Sequence, residues 1–304
     1  MSVHDVTPPS RLPEPSAVLE LLKPLTWFAP MWAFGCGVVS SGAPVLERWP
    51  MVLGGLLLAG PLVCAMSQAT NDWHDRHVDA INEPNRPIPS GRIPGTWGFR
   101  IAVIWGMAAV AMGAVLGPWV LAAALLAIAC AIAYSAPPLR LKRNGWWSCL
   151  VCGLCYESLP WITGAAVMRE AAPDPRILAV ALLYGLGAHG IMTLNDFKAI
   201  EGDARLGLRS LPVQLGPARA AQIACVTMAL PQMIVVGLLL AWGLPWHGGI
   251  VAVLVAAQIA LMPRLLADPE GRAPWYNATG TGLYVLGMLT SALALSTVMS
   301  EILP

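Results

Sequence analysis

Charge is scarce in this sequence. Asp, Glu, Lys and Arg make up 12% of its 304 residues, about half the share of a soluble domain. So few charged groups cannot cover a water-soluble protein of this length. Neither sign dominates: 18 Lys and Arg stand against 17 Asp and Glu, a net charge of +1. That excludes a general attraction to nucleic acid. The seven cysteines are an odd number and lie mostly in apolar runs, so they read as packing residues and not as a disulfide framework. No basic stretch precedes a short apolar one at the N-terminus, and no cleavable signal peptide is expected. The alternation of a transmembrane barrel, over strands of roughly 10 residues, is missing too. Instead, 57% of the residues are hydrophobic, gathered in continuous runs of about 17–25. The chain reads as an all-α membrane protein.

Nine apolar segments are long enough to cross a bilayer. They start near Leu25, Met51, Trp97, Pro118, Trp147, Arg176, Ala218, Gly248 and Ala278, and end near Val39, Thr70, Leu116, Tyr134, Met168, Leu194, Trp242, Leu265 and Ser300. Residues 1–24 form a polar, Pro-rich cytoplasmic segment, and residues 25–300 a single transmembrane domain. With the N-terminus inside, one side of the membrane carries just Arg48, Arg169 and Arg176. All other Lys and Arg, from Arg11 and Lys23 onward, face the cytoplasm, which fixes the orientation by the positive-inside rule. The C-terminus then lies on the opposite, non-cytoplasmic side. Many tryptophans, among them Trp27, Trp49, Trp97 and Trp147, sit at span ends as interfacial anchors.

The acids concentrate in two cytoplasmic clusters. Asn71-Asp72-Trp73-His74-Asp75-Arg76-His77-Val78-Asp79 directly follows the second span, and Asn195-Asp196-Phe197-Lys198-Ala199-Ile200-Glu201-Gly202-Asp203 the sixth. Both open Asn-Asp-aromatic, and in both an Asp recurs seven residues after the first. This weak internal repeat suggests two facing acidic sites in a pseudo-symmetric bundle. Residues i, i+3 and i+7 share one helix face. Asp72, Asp75 and Asp79 therefore point together if the span continues as a helix into the cytosol, and so do Asp196 and Asp203. Carboxylates crowded on one face are tolerable when a hard divalent cation neutralises them. Mg²⁺ takes carboxylate oxygens together with phosphate oxygens. Ionisable clusters at the edge of an otherwise uncharged membrane chain are functional by default.

Arg76, Arg86, Arg92, Lys198, Arg205 and Arg209 interleave with these acids, and Lys142 and Arg143 follow in a third cytoplasmic loop. Each basic residue alone is also accounted for by the positive-inside pattern. Together with the acids they form the usual apparatus for holding a diphosphate as a leaving group. At the mouth of a membrane bundle, this points to a lipophilic diphosphate with its tail in the bilayer.

These residues resemble the intramembrane prenyltransferase superfamily named after the 4-hydroxybenzoate polyprenyltransferase. Its N-D-x-x-D-x-x-x-D motif is matched by Asn71, Asp72, Asp75 and Asp79, and its second D-x-x-x-D-like motif more loosely by Asp196, Glu201 and Asp203. Three longer strings are similar to the (bacterio)chlorophyll synthase branch of that superfamily: N-D-W-H-D-R-H-V-D-A-I-N-E-P-N-R-P-I-P-S-G (71–91), Y-S-A-P-P-L-R-L-K-R-N-G-W (134–146) and N-D-F-K-A-I-E-G-D-A-R-L-G-L-R-S-L-P-V (195–213). The segments 156–167 and 187–198 lean toward the bacteriochlorophyll enzymes. The resemblance covers residues 17–300. It implies a nine-helix bundle with a central cavity and the two Asp-rich motifs at its cytoplasmic mouth. It also implies transfer of a C20 prenyl group, from geranylgeranyl or phytyl diphosphate, to the propionate of a pigment such as bacteriochlorophyllide a.

On this reading Mg²⁺ lies on Asp72, Asp75, Asp79, Asp196 and Asp203. The diphosphate meets Asn71, Arg76, Arg86, Tyr134, Lys142, Asn195, Lys198 and Arg205. An acceptor carboxylate is ionised at neutral pH and needs no general base, which fits the lack of a His-based nucleophile pair. Tyr134 also reads as an interfacial tyrosine, and Asn71 and Asn195 as ordinary helix caps. Glu157, near the middle of the fifth span, needs the cavity or a partner. His189 is a candidate partner for it, and a candidate ligand for the central metal of a macrocycle. Cys149, Cys152 and Cys155 read as helix packing. Chlorophyllide a, a quinone or a haem stay open as acceptors. A cation transporter is the alternative from another class, disfavoured because its acids would lie at the membrane's midplane.

Overall fold

The computed structural model describes residues 12–302. Arg11 and the Pro8–Pro9 stretch lie outside the described residues. Among the described residues eight helices are long and apolar enough to cross a membrane, which makes this an integral membrane protein. The helices are α1 (Pro15–Leu22) and α2 (Phe28–Ser40), then α3 (Trp49–Asn82), α4 (Trp97–Leu116), α5 (Pro118–Ser135) and α6 (Gly145–Arg169). After α7 (Pro175–Asp196) come the short α8 (Ile200–Arg205) and α9 (Leu211–Leu215). The bundle closes with α10 (Pro217–Ala241), α11 (Pro245–Ala267) and α12 (Pro269–Ile302).

The segment expected as the first span is the exception to the nine expected crossings. It forms a 3₁₀ turn, Pro24–Trp27, followed by the 13 residues of α2. At 1.5 Å per residue α2 covers about 20 Å, short of a hydrocarbon core of about 30 Å. The segment expected to be merely polar and Pro-rich also carries a helix. Pro15 opens α1 at its first turn, where its missing N–H costs nothing. Ala17, Leu21 and Leu22 bury against Ala65, Ala69 and Ile101.

The second and sixth spans run further than their apolar stretches. α3 continues through Asp79, so the first acidic motif is helical throughout. Inside α3 a wide π turn spans Leu58–Cys64 around Pro61, whose ring and missing N–H cannot be fitted into a regular α ladder. The Pro61 carbonyl accepts from Trp105 Nε1 at 2.9 Å. A second π turn, Leu154–Ser158, precedes Pro160 in α6.

α7 is the central helix: 67% of its apolar window is buried, against 22% for α5. Trp161 of α6 stacks on Tyr184 of α7, whose ring meets Tyr284 of α12 edge-on at 5.2 Å. Membrane helices gain little from hydrophobicity alone when they associate, so close packing and buried hydrogen bonds hold the bundle. Gln232 donates to Gln258 Oε1 at 2.7 Å and Gln258 to the Gly280 carbonyl at 2.8 Å, joining α10, α11 and α12. Arg48 and Arg169, expected on the outer side, tie that end together by donating to the carbonyls of Met168 and Ser41.

The crossing of α2 and α6 depends on glycine. A methyl group on Gly37 would lie 2.0 Å from the Trp161 carbonyl oxygen, and one on Gly164 2.2 Å from the Phe34 carbonyl oxygen. Backbone cannot yield there. Gly37→Ala is expected to cost about 1–3 kcal/mol by overpacking and to lower the thermal midpoint of the detergent-solubilised protein. Gly35→Ala, with nothing within 4 Å of the added carbon, should leave it unchanged. Equal midpoints for the two variants would contradict this packing.

Candidate active site

The first acidic motif is neutralised by four cations from three different segments. Asp72 and Asp79 are buried on one face of α3. Lys23 Nζ donates to Asp72 Oδ1 at 2.7 Å. Arg86 Nη1 donates to Asp79 Oδ2 at 3.0 Å and stands 3.7 Å from Asp72 Oδ1. Asp75 accepts from Arg140 Nη2 at 3.0 Å and from Lys142 Nζ in a short contact. Burial pushes the Lys142 pKa below its usual value, although Asp75 beside it works the other way. Burial also works against the Arg86 cation, yet Glu83, Asp79 and Asp72 raise its pKa on balance.

One acceptor stays unused. Asp72 Oδ2 is buried and has no hydrogen-bond partner. An unpaired buried carboxylate oxygen costs free energy and calls for an explanation, an unplaced ion among them. The donor set around it, carboxylate oxygens, suits a hard cation.

The second motif sits on the end of α7 and beyond. Asp196 Oδ2 accepts weakly from Cys149 Sγ of α6 at 3.7 Å. Asn195 Oδ1 accepts from Asn277 Nδ2 of α12 at 2.9 Å. The helix does not run evenly through this motif: a 3₁₀ turn, Phe197–Ala199, separates Asp196 from the helical turn carrying Asp203. The even seven-residue spacing expected on one face is therefore broken. Among the described residues no three His, Cys, Asp or Glu side chains stand together as a ready metal cage. The loops beside the two motifs are joined, since Gly145 N donates to the Arg209 carbonyl at 2.7 Å and Arg209 N to the Arg143 carbonyl at 3.1 Å.

Below the acids an apolar cavity of about 220 Å³ opens between α2, α3, α5 and α6. Asn71 and Tyr134 line its end nearest the acids, and Gly55 and Thr163 lie at depth. The Tyr134 hydroxyl lies 3.2 Å from Ser148 Oγ. Gln68 Nε2 donates to the Tyr156 hydroxyl at 2.9 Å. Cys152 and Cys155 also face this cavity, whereas Cys149 alone of the three packs inward.

Other expected residues lie elsewhere. Arg76 folds back on its own helix, 4.0 Å over the Trp73 ring, with Nη1 donating to the Trp73 carbonyl. Arg205 pairs with Glu201 in an exposed i,i+4 bridge. Glu157 is buried with Oε2 unpartnered, and the expected pairing with His189 is not made. His189 instead has Thr193 Oγ1 3.5 Å from Nδ1 and the Trp146 ring 5.7 Å away. The spacing on α6 and α7 sends the two side chains to different neighbours.

Lys23 and Arg140 were not singled out from the sequence. Both adopt the left-handed backbone conformation, φ 47° and 40°. Such values are uncommon away from glycine and collect at functional sites. Nothing in a string of residues gives that conformation, although Arg140 lies inside the matched string 134–146, two residues before Lys142.

Acidic residues ringed by Lys and Arg thus stand at the mouth of an apolar cavity within a membrane bundle. The chain belongs to the UbiA prenyltransferase family, whose pattern it matches over residues 27–296. It is a membrane prenyltransferase. It is 56% identical over the full length of both chains to the bacteriochlorophyll synthase 33 kDa chain of Cereibacter sphaeroides. It is 54% identical to the chain of that name in Rhodobacter capsulatus, over 97% of this chain and 98% of that one. Chlorophyll synthase of Oryza sativa is more distant, 36% identical over 91% of this chain and 76% of that protein. The fold matches a solved digeranylgeranylglyceryl phosphate synthase with a TM-score of 0.71 at 20% identity, over 94% of this chain and 98% of that one. It also matches a UbiA homologue from Archaeoglobus fulgidus bound to GPP and Mg²⁺, with a TM-score of 0.68 at 20% identity, over 88% of this chain and 99% of that one.

Removing Asp75 strands two cations. Asp75→Asn is expected to cost on the order of 3 kcal/mol, read as a lower thermal midpoint of the purified protein. Arg205→Ala, which breaks an exposed pair, should cost less than about 1 kcal/mol. The reverse order would show that the acidic cluster is not held by these ion pairs.

Proposed function

We propose that this enzyme transfers a C20 prenyl group, geranylgeranyl or phytyl, from its diphosphate to the propionate carboxylate of bacteriochlorophyllide a. The observation that carries this reading is a cation-ringed acidic mouth opening directly onto an apolar cavity. It is supported by 56% identity over the full length to a bacteriochlorophyll synthase chain. The diphosphate lies at the mouth and the prenyl tail in the cavity. Residues 25–300 act as one domain of nine crossings, the ninth being the 3₁₀ turn and α2 together. The N-terminus is cytoplasmic and the C-terminus periplasmic, in a bacterial inner membrane.

Asp72, Asp75, Asp79, Asp196 and Asp203 are the residues that would hold Mg²⁺, with the unpaired Asp72 Oδ2 supporting that fit. Bound there, Mg²⁺ supplies a Lewis acid that neutralises the diphosphate as it leaves. Lys142 and Arg86 then turn from their carboxylates to the diphosphate oxygens, with Asn71, Tyr134, Asn195 and Lys198 around them. The allylic C–O bond breaks and its electron pair departs on pyrophosphate. A propionate oxygen of the acceptor forms the new bond to that carbon, giving the ester. The apolar cavity walls keep water from the partly cationic allyl group. No base is needed, since the acceptor is already ionised.

Purified protein supplied with bacteriochlorophyllide a, geranylgeranyl diphosphate and Mg²⁺ should form a hydrophobic pigment ester and release pyrophosphate. EDTA should stop the reaction. Asp72→Asn and Asp196→Asn should each lose turnover by at least about a hundredfold while the protein remains folded. Near-normal activity in both would overturn the metal assignment. Ester from chlorophyllide a alone would keep the mechanism and change the pigment.

The Lys142 cation is lost as pH rises through a pKa below that of free lysine. Diphosphate affinity should therefore weaken on the alkaline side, and Lys142→Arg should carry it to higher pH. An unchanged alkaline limb would remove Lys142 from diphosphate binding.

A further inference from the structure

A second cavity, of about 380 Å³, opens between α6, α7 and α10, apart from the prenyl cavity. Its walls are almost wholly apolar: Trp146, Trp147, Leu186, Val226, Leu230 and Pro231 among them. One imidazole, His189, stands in it. The two indoles are partly exposed at the start of α6, at the level of the cytoplasmic loops. His189 is buried, 7% exposed, with the Trp146 ring 5.7 Å from its own.

We infer that this groove seats the macrocycle of the tetrapyrrole acceptor, with His189 facing its central metal; the inference rests on the proposed function. A metallotetrapyrrole is a flat apolar plate with a cation at its centre and an ionised propionate on its rim. An aromatic-walled slot with one nitrogen donor fits that chemistry, and its volume lies in the range of ordinary ligand sites.

The donor is held as a metal ligand is held. Thr193 donates its hydroxyl hydrogen to the His189 carbonyl at 2.9 Å. The lone pairs of the same oxygen then face Nδ1 at 3.5 Å. A ligating imidazole commonly rests its second nitrogen on such an acceptor. The Trp146 backbone also faces the ring, a contact that a bound metal would replace.

The groove connects to the reaction. His189, Thr193 and Asp196 follow at i, i+4 and i+7, one stripe of α7. Cys149 lies between the last two: its Sγ stands 3.7 Å from Thr193 Oγ1 and donates to Asp196 Oδ2 at 3.7 Å. Seven residues of helix span about 10 Å, the scale of the reach from a tetrapyrrole's centre to its propionate carboxyl. A plate centred at His189 with its propionate toward the cytoplasm brings that carboxylate to the acidic mouth, where the prenyl carbon is released.

The test uses the full chain in detergent and bacteriochlorophyllide a, without prenyl diphosphate. Binding is read from quenching of tryptophan fluorescence and from the shift of the pigment's absorption. Leu230 is half exposed on the groove wall, so Leu230→Trp fills the groove without entering the bundle core. It should raise the Kd and KM for the pigment at least about tenfold and leave the KM for geranylgeranyl diphosphate unchanged. His189→Ala should bind the magnesium pigment no better than its metal-free counterpart, and added imidazole should restore part of the difference. If His189→Ala does not fold, Leu230→Trp decides alone. Pigment binding and turnover equal to wild type in Leu230→Trp would overturn the groove assignment while the functional reading stands. A wild-type protein that esterifies no tetrapyrrole would overturn the functional reading and the groove assignment with it.

Discussion

Carboxylates gathered at the edge of a hydrocarbon slab must be neutralised, and the arrangement of this protein follows from that need. Asp72, Asp75 and Asp79 lie on one face of a helix rising out of the membrane. Separate segments bring cations to them: Lys23 from the end of α1, Arg86 from the loop after α3, and Arg140 and Lys142 from the loop after α5. This end of the molecule is therefore organised around charge that the hydrocarbon region cannot accommodate. α1 is part of this arrangement. Arg92 holds Glu20 through two hydrogen bonds, and Lys23 at the helix end reaches Asp72.

The same cations suit the substrate. A diphosphate brings negative charge, and a divalent cation brings positive charge to the carboxylates. Lys and Arg can then pass from carboxylate to phosphate without leaving any charge bare. In this view the ion pairs are a resting state of the site and supply its preorganisation. Below the mouth the chain becomes strongly apolar, and the π turns at Pro61 and before Pro160 give the cavity wall its shape. Turns of this kind recur at functional sites because they re-aim side chains within an otherwise regular helix. Here the second one carries Tyr156 into the cavity and Glu157 away from it.

Much of this was legible in the residues, for physical reasons. Long apolar runs have few alternatives to membrane helices, so the long helices from α3 to α11 came within a few residues of their observed starts, whereas α12 begins at Pro269, nine residues before the expected Ala278. The i, i+3, i+7 spacing of the first acidic motif required only that the helix continue, and it does. Other features depend on tertiary context. A 13-residue α2 and its 3₁₀ lead-in look, as a string, like any apolar run. α1 is helical because Ala17, Leu21 and Leu22 find a surface to bury against, which a polar, Pro-rich composition conceals. The break at Phe197–Ala199 cannot be read from an evenly spaced motif. Glu157 and His189 seemed natural partners because both are ionisable in apolar spans, but the faces of α6 and α7 that carry them diverge. Arg76 was legible as basic and not as a cation turned onto its own Trp73. Lys23 and Arg140 reach the acids through a left-handed backbone that residue identity does not announce.

The central claim is that the acidic mouth exchanges internal cations for a metal–diphosphate pair. Thermal unfolding of the purified protein tests it most directly, with Mg²⁺ alone, with an unreactive geranylgeranyl thiodiphosphate alone, and with both. The account predicts little change with Mg²⁺ alone, since the carboxylates are already paired. It predicts a clear rise in midpoint with both together, abolished in Asp72→Asn. Full stabilisation by the analogue without metal, retained in Asp72→Asn, would contradict it.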